Sequence, residues 1–337
     1  MKKSYKFGNF ATVGIIIVIM LSLVLATFLL NTSENRKVKN AIECAKGNEV
    51  YNFLVLGRDK AAGLCDVIIL TSINTSNGDI CFMQIPRDTY FNYSDSAYKK
   101  INGAYNAYGS ASEISRAISE SLGVKIDYYV SLDLDTVEQL VDTIKGIEID
   151  IPVDMYYTDA EQNLSIKLNA GKQNLDGKRA VEFLRYRSGY LTGDLGRIDA
   201  QKLFLNAFSK KVAAIGNPLT LYNAFKLVCK KGETNVKEKD LVAIGLKCVR
   251  AKGGVVSYVT APGEAIQSEE SGAWYYILSK PSMNELLSSC FGGNSNFDKQ
   301  NKFVDNSRKS FCDIYNKNCE VKIYTTDDIE NNKININ

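Results

Sequence analysis

The residues best suited to chemistry are arginines and aspartates that cluster in short stretches of the chain. The stretch FLRYRSGYLTGDLGRIDAQ, residues 183–201, carries Arg185, Arg187 and Arg197. Arg185 and Arg187 point to nearly opposite sides of a helix but share one face of an extended backbone. Arg197 and Gln201 are four residues apart, so they share one face of the helix expected there. Guanidinium groups bind carboxylates and phosphates alike, so this cluster predicts either protein ion pairs or an anionic ligand.

Two aspartates occur beside predicted strands. Asp59 follows the strand predicted at 51–57, and Asp66 begins the strand predicted at 66–74. If these strands are neighbours, both carboxylates lie at one edge of the sheet. They would then suit Mg²⁺, which prefers one or two protein carboxylates plus substrate phosphates. The alternative is that Asp66 only caps a strand and Asp59 lies in a polar turn.

The stretch QIPRDTY places Arg87 and Asp88 directly after a strand and a proline that ends its ladder. Ligands collect at strand ends in layered α/β proteins, although a local Arg–Asp ion pair is the alternative here. Together the three stretches combine arginines and aspartates in a chain without histidine. Arginine, aspartate and a metal ion are typical of phosphoryl transfer, in which positioning and charge neutralisation dominate. The P-loop consensus is absent from the sequence, which excludes that class of nucleotide site.

Composition narrows the classes of protein further. The chain has 337 residues, 45% of them hydrophobic and 23% charged, which is typical of a globular protein. A net charge of +3 without any run of basic residues argues against nucleic-acid binding. The lack of histidine excludes histidine acid–base catalysis and histidine metal ligands. The eight cysteines form no CxxC pair, so a zinc ribbon is not expected, whereas Cys312 and Cys319 could form a local disulfide.

Residues 10–30, FATVGIIIVIMLSLVLATFLL, form an uncharged apolar segment. A helix of this length spans about 30 Å, which matches the hydrocarbon core of a bilayer. A cleaved signal peptide is the alternative, but Val24-x-Ala26 is a poor cleavage site. We therefore predict one transmembrane anchor, preceded by residues 1–9 and followed by a juxtamembrane stalk at 31–49. Basic residues on both sides leave its orientation open.

Apolar runs and amphipathic segments interleave along the rest of the chain, which predicts a layered αβα domain. Strands are predicted at residues 51–57, 66–74, 79–86, 127–133, 147–153, 255–262 and 273–279, with Asn77-Gly78 as a hairpin turn. Helices are predicted at 111–122, 134–144, 175–184, 194–214, 238–249 and 281–291. We divide the soluble part into a main domain at 50–215, a C-terminal αβ extension packed on it at 216–291, and a polar tail at 292–337. The tail is expected to be loosely ordered.

Seven segments, in this order and behind one N-terminal anchor, resemble the LytR-CpsA-Psr family. They are NFLVLGRD, DVIILTSIN, QIPRDTY, KINGAYNAYG, IDYYVSLDLD, LVDTIKGIEIDIP and FLRYRSGYLTGDLGRIDAQ, and they lie within residues 50–215. The resemblance implies a central mixed β-sheet flanked by helices, with a hydrophobic groove for a lipid. It implies a phosphotransferase of cell-wall biogenesis in Gram-positive bacteria. Such an enzyme moves a glycopolymer from an undecaprenyl-pyrophosphate carrier to peptidoglycan through a phosphodiester link.

The resemblance also implies roles for individual residues. Asp59 and Asp66 match the acidic residues of the metal and catalytic centre, which implies Mg²⁺, or Mn²⁺ in its place. The implied catalytic residues are Asp59, Asp66, Arg87 and Arg185, and the implied pyrophosphate ligands are Arg87, Arg185, Arg187, Arg197 and Gln201. One stretch departs from the family pattern, because many members carry Arg-Ser/Thr-Asp-Thr where this chain has Leu64-Cys65-Asp66-Val67. The aspartate stays, but the neighbouring arginine and threonine are lost.

The implied location is the cell membrane, with residues 1–9 in the cytoplasm and the catalytic domain outside. The implied partners are a polyprenyl-pyrophosphate-linked glycopolymer, peptidoglycan and membrane lipid, without nucleic acid. Apolar residues around Val130, Leu140 and Leu205 would line the lipid groove, although ordinary core is the alternative for each. Two other functions stay open. One is a lipid-pyrophosphate hydrolase with water as acceptor, and the other is a non-catalytic, membrane-anchored regulatory or binding protein.

Overall fold

The computed structural model describes residues 50–59, 63–93, 98–159, 164–186, 190, 194–237, 239–240, 243–244, 247, 254–293 and 296–331. The predicted anchor at 10–30 and stalk at 31–49 lie outside these residues. Across the part of the chain that the structure describes, we find no helix with the length and apolarity needed to span a bilayer.

The elements alternate along the chain, as the interleaved sequence pattern predicts. The strands are β1 Val50–Asp59, β2 Leu64–Asn74, β3 Ile80–Gln84, β4 Tyr128–Asp133, β5 Ile147–Ile151, β6 Met155–Asp159, β7 Leu164–Leu168, β8 Gly171–Leu175, β9 Glu233–Thr234, β10 Val256–Thr260, β11 Gly263–Gln267, β12 Trp274–Leu278 and β13 Ile323–Thr325. The helices are α1 Ile101–Tyr108, α2 Ala111–Leu122, α3 Leu134–Thr143, α4 Gly177–Arg185, α5 Asp194–Ala213, α6 Pro218–Lys231, α7 Lys280–Cys290, α8 Lys309–Asn316 and α9 Thr326–Glu330.

Seven of the strands form one mixed sheet in the order β13–β10–β3–β2–β1–β4–β9. In its centre, β1 pairs antiparallel with β2 and parallel with β4. Strands β2 and β3 form the predicted hairpin, whose turn contains Gly78 at a φ of 85°. A positive φ is strained for residues with a Cβ, which explains the glycine at this position. The predicted central mixed sheet flanked by helices is confirmed.

Side chains alternate across the sheet, so each central strand supplies two separate cores. In β1, Leu54 and Leu56 belong to one core, whereas Phe53 and Val55 pack with the other. Helices α1, α2, α7 and α8 cover the first side, which we call the packed face. Helices α3, α4, α5 and α6 cover the second side, which we call the cavity face. This arrangement is the predicted αβα layering.

The C-terminal part of the chain is built into the sheet rather than added to it. Strand β10 pairs in parallel with β3, and β13 pairs antiparallel with β10 at the sheet edge. The expectation of a loosely ordered tail is wrong for residues 296–331, because Phe303 and Phe311 are completely buried in the packed face. Asp298 fastens this segment, since its carboxylate accepts hydrogen bonds from the Phe303 amide at 3.0 Å and the Tyr315 hydroxyl at 2.9 Å.

Candidate active site

A cavity of about 640 Å³ lies in the cavity face, between the sheet and helices α3, α4 and α5. Its polar lining residues are Arg58, Asp59, Asp66, Arg87, Asp133, Arg185, Arg197 and Gln201, and we call this set the polar end. The remaining lining is mostly aliphatic and aromatic. Along α5, Arg197 and Gln201 come first, and Phe204, Leu205 and Phe208 follow toward its C-terminus. The helix therefore passes from a charged end of the cavity to an apolar one over about 16 Å, at 1.5 Å per residue.

Asp66 reaches the cavity because β2 carries a bulge at this residue. Gly57 of β1 pairs with Val67, and Arg58 pairs with Cys65, so Asp66 is the extra residue between two registers. A bulge re-aims side chains, and here it brings Asp66 and Val67, neighbours in sequence, to the same cavity. Gly57 permits the close approach, since a Cβ there would lie 2.8 Å from the Val67 Cβ. The condition under which both aspartates share one edge of the sheet, that the first two strands are neighbours, is therefore met, together with a local irregularity that the pattern did not predict.

Arg87 is held at the end of β3 by contacts on both sides. Its Nη1 donates a hydrogen bond to Asp66 Oδ1 at 3.0 Å, and both side chains are about one-fifth exposed. Its main-chain carbonyl accepts a hydrogen bond from the Asn102 amide at the start of α1. The neighbouring Asp88 pairs with Lys100 at 2.8 Å. The alternative of a simple Arg87–Asp88 pair is only weakly present, at 3.9 Å. Arg87 and Asp66 therefore form one fixed unit on the cavity wall.

Arg197 and Gln201 project from one face of α5, as their spacing predicts. Both are almost completely buried, with 3% of each residue exposed. The Gln84 side-chain amide at the end of β3 donates to Gln201 Oε1, which ties α5 to the strand that precedes Arg87. Arg197 lines the cavity, where an effective dielectric constant below that of water strengthens the attraction between a guanidinium and an anion.

Arg185 is the last residue of α4 and lines the same cavity. The helix ends there because Tyr186 has extended backbone angles, with φ −63° and ψ 135°. The expected end of the helix near this position is therefore confirmed. The prediction that Arg185 and Arg187 share one extended stretch is wrong for Arg185, because Arg185 is the last residue of the helix. Arg187 lies outside the described residues, so its predicted place in the cluster stays a prediction.

Arg58 is a cavity residue that the sequence analysis missed, because β1 was expected to end at Gly57. Its guanidinium lies over the Tyr105 ring, 5.0 Å from the centroid, and its Nη1 donates to the Tyr105 hydroxyl at 3.1 Å. That hydroxyl in turn donates to Glu233 Oε2 at 2.7 Å. Burial and the hydrogen bond to Glu233 raise the pKa of Tyr105 to about 12, so the hydroxyl keeps its proton and this direction of donation. The only available signal was an arginine directly before Asp59.

The carboxylates of the polar end suit a metal ion that is also coordinated by phosphate oxygens of a substrate. Within the described ranges, no group of three or more acidic, cysteine or histidine side chains is arranged to hold a metal by itself. Three carboxylates, Asp59, Asp66 and Asp133, line the cavity. Asp133 caps helix α3, since its Oδ1 accepts hydrogen bonds from the Thr136 amide and hydroxyl, which leaves two for a metal ion. That number matches the usual Mg²⁺ site, which takes one or two carboxylates and completes its shell with phosphate oxygens and water. Cys65 does not compete as a ligand or nucleophile, because burial raises the pKa of its thiol to about 12.

Comparison of the sequence with protein families and with curated proteins identifies the relatives of this chain. A sequence profile of the LytR_cpsA_psr family matches residues 20–291. The chain belongs to this family. The matched range reaches beyond the expected 50–215 into the segment that contains β10 and β12. This agrees with the sheet, in which β10 is an internal strand.

Two curated relatives illustrate the range of names in the family. The chain is 26% identical over 269 residues to the polyisoprenyl-teichoic acid–peptidoglycan teichoic acid transferase TagU of Oceanobacillus iheyensis, covering 77% of this chain and 81% of the relative. It is also 26% identical over 231 residues to the regulatory protein MsrR of Staphylococcus aureus, covering 64% of this chain and 68% of the relative. Among solved structures, TagV of Bacillus subtilis has a similar fold, with a TM-score of 0.60 at 21% identity over 72% of this chain and 96% of TagV.

Proposed function

We propose that this protein transfers a glycopolymer from an undecaprenyl-pyrophosphate carrier to peptidoglycan and leaves a phosphodiester link. The observation that carries the proposal is the cavity itself, which joins arginines and carboxylates at one end to an apolar interior at the other. A lipid pyrophosphate has the same two-part character. Membership of the family and the transferase name of the Oceanobacillus relative support this class of reaction.

The arginines of the polar end bind the pyrophosphate in this proposal. Arg87 lies in the turn after β3, Arg185 ends α4 and Arg197 belongs to α5, and all three line one cavity. Guanidinium groups present fixed forks of donors that match phosphate oxygens and do not lose their charge. Arg187 is proposed as a further ligand from its sequence position. Arg58 adds a guanidinium held by Tyr105, and Gln201 supplies an amide anchored to Gln84.

The chemical step is an attack by a sugar hydroxyl of peptidoglycan on the phosphorus that carries the polymer. A new oxygen–phosphorus bond forms, the bond to the bridging pyrophosphate oxygen breaks, and the polyprenyl phosphate leaves. Asp59 or Asp66 accepts the hydroxyl proton. The arginines neutralise the charge that develops on the leaving phosphate, which is the main contribution that a protein makes to such reactions.

Asp59 and Asp66 are also the residues that would hold Mg²⁺, or Mn²⁺, together with the carrier pyrophosphate. Bound there, the ion would reduce the negative charge that repels the attacking oxygen. Asp66 is already positioned by Arg87, which fixes one of its oxygens at 3.0 Å from the guanidinium.

The apolar end is proposed to hold the first isoprene units of the carrier. Val137, Leu140, Leu184, Leu205 and Phe208 line it. Leu140 and Leu205 were expected there, whereas Val130 is not among the lining residues. Burying isoprenyl carbon against such a wall contributes roughly 25 cal/mol per Å² of apolar area. The proposed location follows from the substrate, with the anchor at 10–30 in the membrane and the domain on its outer side.

A transfer assay tests the proposal. The full chain is incubated with a polyprenyl-pyrophosphate-linked glycopolymer, peptidoglycan and Mg²⁺, and the polymer attached to peptidoglycan is measured. We expect Mg²⁺-dependent attachment that falls about 10²–10³-fold in Arg87→Ala and in Arg185→Ala, the usual effect of removing one preorganised donor.

The matched control is Arg116→Ala, since this arginine is on the outer surface of α2 with 60% of its side chain exposed. It should keep the rate of the unmodified protein. Near-normal rates in both cavity variants would refute the arginine assignment. Loss of activity in the control variant as well would indicate a general folding defect.

The Staphylococcus relative is named a regulatory protein, which supports a second candidate function, that of a non-catalytic binding protein. In that case the cavity binds the lipid anion without turnover, and Asp66→Asn leaves the function intact. A hydrolase would use the same site with water as acceptor. Product analysis separates the three, because hydrolysis releases free polymer phosphate, transfer leaves the polymer on peptidoglycan, and a binding protein consumes no carrier.

A further inference from the structure

Two cysteines that the proposed reaction does not use come together on the packed face. Cys81 lies in β3 and is directly opposite Ser72 of β2 in the antiparallel ladder. Opposite residues in such a pair place their side chains on the same side of the sheet, with Cβ atoms about 4.5–5.5 Å apart. Cys81 belongs to the packed-face core and is 5% exposed.

Cys290, from the C-terminal part of the chain, lies next to the Ser72–Cys81 pair. It is the last residue of α7 and packs against the same core as Cys81. The Ser72 hydroxyl donates a hydrogen bond of 2.5 Å to the Cys290 carbonyl. Ser72, which is opposite Cys81, therefore positions the backbone of Cys290. The Cys81 and Cys290 thiols are in hydrogen-bond contact on the packed face of the β2–β3 pair.

The two thiols are chemically different. Cys81 donates a hydrogen bond to the Cys290 sulfur, which lowers the pKa of Cys290 to about 6. The same hydrogen bond, with burial added, raises the pKa of Cys81. The Ser289 hydroxyl also lies 3.5 Å from the Cys290 sulfur. At neutral pH, Cys290 is thus the thiolate that reacts first, and it is also the more exposed of the two.

We propose that Cys81 and Cys290 are a disulfide-forming pair that links strand β3 to the end of helix α7. A small-molecule or protein disulfide is the oxidant. The Cys290 thiolate attacks one sulfur of the oxidant, forms a mixed disulfide and releases one thiolate. The Cys81 thiol then loses its proton to that thiolate and attacks the Cys290 sulfur. The second small thiolate leaves and takes up from solvent the proton that Cys290 had released. In sum, two cysteine thiols and one disulfide become one protein disulfide and two small thiols.

The cross-link would join two parts of the chain that are far apart in sequence. It joins the N-terminal hairpin to a C-terminal helix, so it closes a long loop of the unfolded chain. Disulfides that close long loops remove more conformational freedom from the unfolded state. This inference does not depend on the transfer reaction, because neither cysteine lines the cavity.

Peptide mapping tests the pair directly. The full chain is equilibrated with glutathione disulfide, its remaining thiols are blocked with N-ethylmaleimide, and it is digested without reduction. Digestion with trypsin plus an endoproteinase that cleaves before aspartate separates Cys81 from Cys65, since Asp66 and Asp79 lie between them. We expect a linked pair of peptides that contain Cys81 and Cys290, and two fewer titratable thiols than in the reduced protein.

Cys290→Ser and Cys312→Ser form the matched comparison, because both cysteines are partly exposed and only Cys290 contacts Cys81. The link should disappear in Cys290→Ser and persist in Cys312→Ser. The midpoint of thermal unfolding should rise on oxidation of the unmodified protein and of Cys312→Ser, and stay unchanged in Cys290→Ser. Recovery of both thiols as maleimide adducts, or of Cys290 only as a glutathione adduct, would overturn the proposal, as would a link from Cys81 to another cysteine.

Discussion

The two faces of the central sheet are built from the same strands but packed in different ways. On the packed face, Phe91, Phe303 and Phe311 are completely buried. On the cavity face, Val137, Leu140, Leu205 and Phe208 are only partly buried and surround a volume of about 640 Å³. Close packing stabilises a fold, and an unfilled cavity gives up part of that stabilisation. The comparison assigns stability mainly to one face and ligand binding to the other.

The largest expected difference between the faces is in the effect of removing an aromatic ring. Phe311→Ala on the packed face should lower the free energy of unfolding by about 3–5 kcal/mol, because the ring is completely enclosed. Phe208→Ala on the cavity face should cost about 1 kcal/mol, since its ring already borders open space. Denaturant titration of both variants measures the difference. Equal losses would remove the distinction between the two faces.

The next prediction concerns charge at the polar end. Arg197→Lys keeps a positive charge but loses the planar fork of donors, so we expect transfer to fall by about 10²-fold. Lys210→Arg, further along the same helix and 43% exposed, is the control and should keep the full rate. If a lysine at position 197 worked as well as arginine, bidentate recognition of phosphate by this residue would be wrong.

Filling the cavity should separate binding from stability. Leu140→Trp adds a large ring to an open wall, so it should obstruct the lipid and raise KM for the carrier by about tenfold, or 1.4 kcal/mol. Leu287→Trp adds the same ring to the packed face, where overpacking should cost about 1–3 kcal/mol of stability. Carrier titration and thermal unfolding of both variants give the two readouts. If KM for the carrier rose in Leu287→Trp and not in Leu140→Trp, the proposal that the cavity holds the lipid would be wrong.

The smallest predicted effect comes from the tyrosine behind Arg58. Tyr105→Phe removes the acceptor for Arg58 and the donor to Glu233, while it keeps the ring beneath the guanidinium. The loss should be about 0.5–1.5 kcal/mol, seen as a several-fold rise in KM with kcat nearly unchanged. Tyr108→Phe on the same helix serves as control. A fall in kcat with constant KM would instead place Tyr105 in the reaction itself.

Local patterns predicted most of the elements that carry the site. Apolar runs indicated the first three strands, and the Asn77-Gly78 turn indicated that the second and third form a hairpin, which the structure has. The structure also pairs the first strand with the second, which the sequence left as a condition. Asp59, Asp66, Arg87, Arg185, Arg197 and Gln201 all line one cavity, whose existence rested on the family resemblance rather than on spacing. The bulge at Asp66 was not predictable, since it depends on how β1 and β2 meet and not on either strand alone.

The C-terminal region shows where local pattern fails. Helix α6, Pro218–Lys231, was not predicted, and the segment after Gly292 was expected to be loose because its average composition is polar. Three phenylalanines fix this segment to the fold, since Phe297, Phe303 and Phe311 pack against residues far away in sequence. Averaging over a window hides such anchors, because burial at a single position is decided by the partner that covers it.

The insertion of β10 between β3 and β13 has a consequence for how the protein is made. The Val255 amide, one residue before β10, donates a hydrogen bond to Asp79 Oδ1, 176 positions earlier in the chain. During synthesis, β3 therefore exposes an unpaired edge until nearly the whole polypeptide has emerged. Contacts this distant in sequence form slowly, and exposed strand edges invite pairing between chains. Nascent chains truncated before β10 should accordingly depend on chaperones, and a premature stop before Val256 should yield aggregates rather than a smaller working enzyme.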